Sequence, residues 1–143
     1  MADPAAFGAV RRADTLAALL AQTDALSVHC PYSPATRHIV DAAALAAMPA
    51  GGYVVNTARG GIVDEAALLA ALESGHLAGA GLDVFEVEPP PADHPLRRHP
   101  RVLVTPHVAG VTDGSLVNMG VMAAECIAAA LTGGVVPAER IVA

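Results

Sequence analysis

Four short apolar runs, each set between stretches with a helical pattern, restrict the folds open to this chain. Ala25–Cys30 is stopped by Pro31 and Pro34. Tyr53–Asn56 follows a Gly51-Gly52 turn, and Gly79–Val84 is thinned by glycine so that neighbours can approach. Arg101–Thr105 comes after a loop that is rich in proline from Pro89 and runs to about Pro100. Between them, Asp14, Asp41 and Asp64 are placed to cap helices. The first helix carries Leu16, Leu19 and Leu20, and Pro49 ends the second. Val63 and Leu68 are spaced for a hydrophobic staple on the third, and Gly75 suits its left-handed end. A long helix from Thr112 to about Leu131 shows a stripe of Leu116, Met119, Ala123, Ile127 and Ala130, and Gly133-Gly134 closes it. The tail from Val135 reads as an extended segment. Apolar runs without polar alternation are strands buried on both sides, so the expectation is an α/β fold with a parallel sheet and helices on both faces.

Composition narrows the function. A chain of 143 residues, 54% hydrophobic and 15% charged, belongs to a globular domain with a core. The net charge is −6 and the basic residues are scattered, which argues against nucleic acid as a partner. Met1–Pro4 is short and polar and reads as no signal peptide. Leu116–Leu131 contains Asn118 and Glu125 and reads as too short to span a bilayer, so no membrane partner is expected. Cys30 and Cys126 have neither metal-like nor disulfide-framework spacing and read as small buried hydrophobes in a reducing compartment, by default the cytoplasm.

A parallel sheet places all strand C-termini on one edge, where α/β proteins keep their ligands. Those ends carry His29-Cys30-Pro31, Asn56-Thr57-Ala58-Arg59, Asp83 and Thr105-Pro106-His107, with Glu88 shortly after Asp83. A histidine paired with a carboxylate is a proton donor and acceptor, because the carboxylate stabilises the imidazolium. An arginine beside them can clamp a substrate carboxylate with two parallel hydrogen bonds. The set suits a 2-keto or 2-hydroxy acid, with the hydride coming from a bound cofactor. Each residue also has a plainer reading. Arg59 can cap a helix or pair with Asp64, and His107 can be a core or capping histidine. Glu88 can be a solvated carboxylate, and Asp83 a turn cap. His38, His76, His94 and His99 read as surface residues, and none suggests a metal site.

The segments SVHCPYSPATRHIVD, VVNTARGGIVDEAALLAALESGHLAGAGLDVFEVEP and HPRVLVTPHVAGVT, in this order, resemble the D-isomer-specific 2-hydroxyacid dehydrogenases. The resemblance runs from about Asp24 to Thr112 and extends weakly into the last helix. It implies a Rossmann-like NAD-binding domain, here its second half. By resemblance, Arg59 binds the substrate's carboxylate and carbonyl, His107 is the general acid-base, and Glu88 is its carboxylate partner. Asp83 hydrogen-bonds the nicotinamide carboxamide, and Pro31, Thr57, Ala58 and Gly110, with Arg59 and His107, line the nicotinamide half of the cofactor site. The two glycines after Arg59 keep its loop slim so that the side chain can reach ligand.

The resemblance also implies parts that are not found here. No GxGxxG follows a strand in Met1–Thr23. The expectation is therefore an incomplete domain over residues 1–134, with a tail over 135–143 returning to an absent substrate domain. Such a chain would leave a sheet edge and an apolar flank open, bind NAD(H) weakly and self-associate. The implied function is the catalytic portion of an NAD(P)-dependent D-2-hydroxyacid dehydrogenase reducing a 2-keto acid. The implied cofactor is NAD, with NADP as the alternative. The partners are a small 2-keto or 2-hydroxy acid, and either a second copy of the chain or the missing N-terminal half. The competing readings are a non-catalytic fragment, a module that depends on a partner chain, and a cofactor-sensing regulator of the same fold.

Overall fold

The computed structural model describes Gly8 and residues 10–141, with the backbone only at Glu139; Met1–Pro4, read above for a signal peptide, lies outside them. The chain divides into two units, residues 1–107 and 108–143. In the first, the order is α1 (Leu16–Leu20), β1 (Ala25–Val28), α2 (Ala42–Ala46), β2 (Gly52–Asn56), α3 (Glu65–Glu73), β3 (Leu77–Leu82), α4 (Pro95–Arg98) and β4 (Val102–Val104). A short 3-10 turn, Gly60–Ile62, lies between β2 and α3. The four strands form one parallel sheet in the order β1-β2-β3-β4.

Local chemistry sets the helix starts. The Asp41 carboxylate accepts from Ala44 N–H at 2.8 Å, and Asp64 accepts from Ala66 and Ala67 N–H at 3.0 Å. The first cap differs from expectation: Thr15, not Asp14, caps α1, its hydroxyl accepting from Ala18 N–H at 3.1 Å. Gly75 adopts the expected left-handed conformation after α3 (φ 79°). β3 begins and ends two residues earlier than the glycine-rich run suggested, which leaves Asp83 just beyond the strand.

The core lies on one face of the sheet. Leu26, Val28, Val54, Ala80 and Leu82 point to it and pack with Leu20 of α1, Leu45 of α2, Leu68 and Leu72 of α3, and Leu96 of α4. Register places Tyr53 beside Gly79, and Gly81 between Val55 and Leu103, on the opposite face. That face is open in this unit: burial alternates along β1 and β2, and Leu103 is 73% exposed. The parallel sheet with helices is as the sequence implied, and the described helices of this unit pack on one of its faces. The apolar side chains of the open face explain why the strands read as doubly buried.

The second unit is dominated by α5 (Asp113–Thr132), opened by a capping box between Thr112 and Ser115 and closed by left-handed Gly133. None of its residues is buried, so the stripe from Leu116 to Ala130 is not packed away. At 20 residues the helix is long and apolar enough to cross a membrane, longer than its apolar stretch suggested; that measure also fits a helix of a globular protein. The tail holds a 3-10 turn, Ala138–Arg140, where an extended segment was expected. Cys30 and Cys126 are both half-buried free thiols.

Replacing Leu68, fully enclosed in the core, with alanine should cost about 2–5 kcal/mol of stability by urea denaturation. The same change at exposed Leu103 should cost less than about 0.5 kcal/mol.

Candidate active site

The strand ends meet on one edge through their loops. Asn56, the last residue of β2, is buried, and its amide closes the next turn. Its Nδ2 donates to the Arg59 carbonyl at 2.8 Å and its Oδ1 accepts from Ala58 N–H at 3.1 Å. The turn presents the Arg59 side chain outward, with Nη1 donating to the Ala58 carbonyl at 2.6 Å. Gly60 then lies directly against the loop after β3. A Cβ there would fall 1.9 Å from the Phe85 carbonyl carbon and 2.3 Å from the Glu86 nitrogen. At Gly61 it would fall 2.7 Å from the Tyr32 ring. The glycines therefore let two strand-end loops touch, and Arg59's reach follows from that contact and not from a slim loop alone.

The loop after β3 carries the acid. Phe85 N–H donates to Glu88 Oε1 at 2.9 Å, and Glu88 Oε2 meets His107 Nδ1 at 2.7 Å. His107 lies past β4, its N–H donating to the Asp83 carbonyl at 2.9 Å. Its backbone is left-handed (φ 56°), a conformation uncommon for a residue with a side chain and held here by tertiary contacts. With Nδ1 engaged by Glu88, Nε2 is the ring nitrogen left for a substrate. The hydrogen bond from His107 holds the Glu88 carboxyl below its ordinary range. Phe85 N–H and the His107 and Arg59 charges add to this, and partial burial opposes it.

Two clefts meet at this pair. One, about 470 Å³, is lined by Tyr32, Arg37, Arg59, Glu86, Glu88 and His107, among others. The other, about 710 Å³, includes Asp83, Phe85, Glu88, Thr105 and His107. Arg59, Glu88 and His107 thus share one cleft, and Asp83 joins the latter two in the second. Asp83 is buried, and Thr105 Oγ1 donates to its carboxylate at 2.5 Å. Pro31, Thr57 and Ala58 follow the same strand edge but line neither cleft. Gly110 belongs to the second unit.

Four histidines find partners that the sequence did not reveal; two of these pairs, at Glu86 and Glu65, lie at the loop after β3, and the other two at the starts of β3 and β4. His38 Nε2 pairs with Glu86 at 2.5 Å and His94 Nε2 with Glu65 at 3.2 Å. His76 Nε2 bonds the Leu45 carbonyl at 3.0 Å, and His99 Nδ1 accepts from Arg101 N–H at 3.2 Å. These histidines are structural ties, not free surface groups. The only local signal was their position near loops. Among the described residues no group of three or more His, Cys, Asp or Glu is arranged for a metal ion.

A parallel sheet with polar groups clustered beyond its strand C-termini is the layout of a dinucleotide-binding α/β domain. The chain belongs to the D-isomer specific 2-hydroxyacid dehydrogenase family: the sequence model of that family's NAD binding domain matches residues 3–109. It is 54% identical over 114 residues to (S)-sulfolactate dehydrogenase of Chromohalobacter salexigens, covering 80% of this chain and 37% of that protein. A putative D-isomer specific 2-hydroxyacid dehydrogenase from Polaromonas superposes with a TM-score of 0.87 at 32% identity, over 94% of this chain and 42% of that one. The D-isomer specific 2-hydroxyacid dehydrogenase of Xanthobacter autotrophicus in complex with NADPH and MES gives 0.72 at 43% identity, over 85% and 50%. The chain spans between about a fifth and little more than a third of the length of the curated relatives it matches.

The family uses NAD(P). The residues present fit the nicotinamide end: the buried Asp83 carboxylate opens on a cleft shared with His107. No GxGxxG turn between a strand and a helix is found among the described residues.

Gly60→Ala should destabilise the protein by about 1–3 kcal/mol or more, read by urea denaturation, because the clash is with backbone. The depressed Glu88 carboxyl gives stability that is complete above the ordinary carboxylate range and lost as pH falls through the lower, folded value. Stability measured on acidification should therefore fall less steeply in Glu88→Gln than in the parent. Solvent screening at the partly exposed pair keeps that difference small.

Proposed function

We propose that this chain is the catalytic portion of an NAD(P)-dependent 2-hydroxyacid dehydrogenase that reduces a 2-keto acid to the D-2-hydroxy acid. The observation that supports it is the meeting of Arg59, Glu88 and His107 around one cleft, with the His107–Glu88 bond at 2.7 Å. A nicotinamide bound at the Asp83 end would supply the hydride chemistry at the substrate's C2. Arg59 holds the substrate carboxylate through its planar fork. His107 delivers a proton from Nε2 to the C2 oxygen during reduction and recovers it during oxidation. Glu88 holds Nδ1–H, fixes the tautomer and stabilises the imidazolium. Asp83 would accept from the carboxamide at the nicotinamide end, with Pro31, Thr57 and Ala58 along the same strand edge. Residues 1–134 belong to the cofactor domain, and the tail from 135 leads toward a substrate domain. The cytoplasm is the proposed location.

The same cleft carries a second guanidinium, that of Arg37. Substrates with a second anionic group therefore belong in the assay, as the name of the sulfolactate dehydrogenase relative also suggests. The competing reading, a cofactor-sensing module without turnover, predicts cofactor binding and no oxidation of NADH.

The test follows NADH and NADPH consumption with glyoxylate, pyruvate, hydroxypyruvate and 3-sulfopyruvate. It uses this chain and a version extended at its N-terminus. Turnover is expected with at least one acid, and its absence under all these conditions contradicts the reading. In the active form, His107→Ala should lower kcat by about 100-fold or more. Arg59→Lys should raise the substrate KM strongly, because an ammonium cannot make the forked contact.

A further inference from the structure

Three carboxylate–imidazole pairs surround the Phe85–Glu88 strap, and one of them, Glu65 with His94, lies outside both clefts. Glu65 opens α3, where an ionised carboxylate complements the helix dipole. Both of its oxygens are committed across the fold. Oε1 accepts from Glu86 N–H at 2.7 Å, and Oε2 faces His94 Nε2 at 3.2 Å. The two side chains are each only 19% exposed. His94 Nδ1 is buried without a hydrogen-bond partner among the described residues, so the ring's polar anchoring is through Glu65. That ring meets the edge of Phe85, centroids 5.2 Å apart at 77°.

The strap is thus gripped at successive residues. Gly60 packs against the backbone of Phe85 and Glu86, His94 against the Phe85 ring, and Glu65 binds the Glu86 N–H. Phe85 N–H holds one oxygen of Glu88, whose other oxygen holds His107. A carboxylate on α3 is therefore linked to the imidazole through one short piece of backbone.

We infer that Glu65, oriented with His94, is a positioning residue: its carboxylate fixes the Phe85–Glu88 strap and so keeps Glu88 on Nδ1 of His107. The inference rests on the reading of Glu88 and His107 as the acid-base pair. Glu65 touches neither cleft, so its effect passes through Glu88. Loss of Glu65 frees the Glu86 N–H and the His94 ring together, and Glu88 then no longer meets His107 in one fixed geometry.

The test compares Glu65→Ala and Glu65→Gln in the parent and in a Glu88→Gln background. In the active dehydrogenase, Glu65→Ala should lower kcat by about 10- to 100-fold, the scale of a small misplacement of catalytic groups. The substrate KM should stay within about twofold, because the Arg59 clamp is untouched. In the Glu88→Gln background the same change should add less than about twofold, since coupled residues are not additive. Glu65→Gln keeps an oxygen for the Glu86 N–H and should restore most of the rate. On the chain itself, the imidazole nitrogen NMR spectrum should show the His107 Nδ1 signal moving in Glu65→Ala as it moves in Glu88→Gln. A full multiplicative loss in the Glu88→Gln background would overturn the inference. So would lowered stability with the His107 signal in place. If no 2-keto acid is turned over, the dehydrogenase reading fails, and the imidazole spectrum still decides whether Glu65 sets the pair.

Discussion

The contact on which the site depends is one between two pieces of backbone. Gly60 lies so close to Phe85 and Glu86 that no side chain fits between them. One loop leaves β2 and carries Arg59; the other leaves β3 and carries Glu88. Their contact joins a cation and a carboxylate from different strands into one wall, and His107 arrives from β4 to complete it. Asn56 closes the first loop from beneath, and Glu65 holds the second from the side. Hydrogen bonds to the main chain and glycine packing hold these loops, together with the buried side chains of Ile62, Val84 and Phe85.

The two clefts differ in chemical character, and the His107–Glu88 pair belongs to both. Arg37 and Arg59 bring two guanidiniums to one of them, beside Glu86 and Glu88. Asp83 and Thr105 give the other a buried, hydrogen-bonded carboxylate. On the proposed reading, the proton donor stands at the junction between a site for the keto acid and a site for the nicotinamide, where C2 and its oxygen must both be reached.

Much of this was legible in the residues because a parallel sheet sorts its loops without regard to detail. Once Tyr53–Asn56, Gly79–Val84 and Arg101–Thr105 read as parallel strands, Arg59, Asp83 and His107 had to share an edge. Other features carried no local signal. Asp14 and Thr15 are both good caps, and only the backbone path selects Thr15. The four-residue α4 is too short to show periodicity and hid in a proline-rich loop. The partners of His38 and His94 are Glu86 and Glu65, remote in sequence, so those histidines looked like surface groups until the chain was folded. The open face of the sheet was legible only in part, for a related reason. Apolar residues at Tyr53, Val55 and Leu103 say that a face favours cover, and not which segment supplies it.

A crystal structure of the protein with NADH and oxamate, a planar mimic of a 2-keto acid, tests the central claim most directly. The account predicts the oxamate carboxylate on the Arg59 guanidinium, with His107 Nε2 facing its carbonyl oxygen and Nδ1 on Glu88. An anion bound elsewhere, or a His107 ring turned away from both Glu88 and the Arg59 cleft, would contradict it.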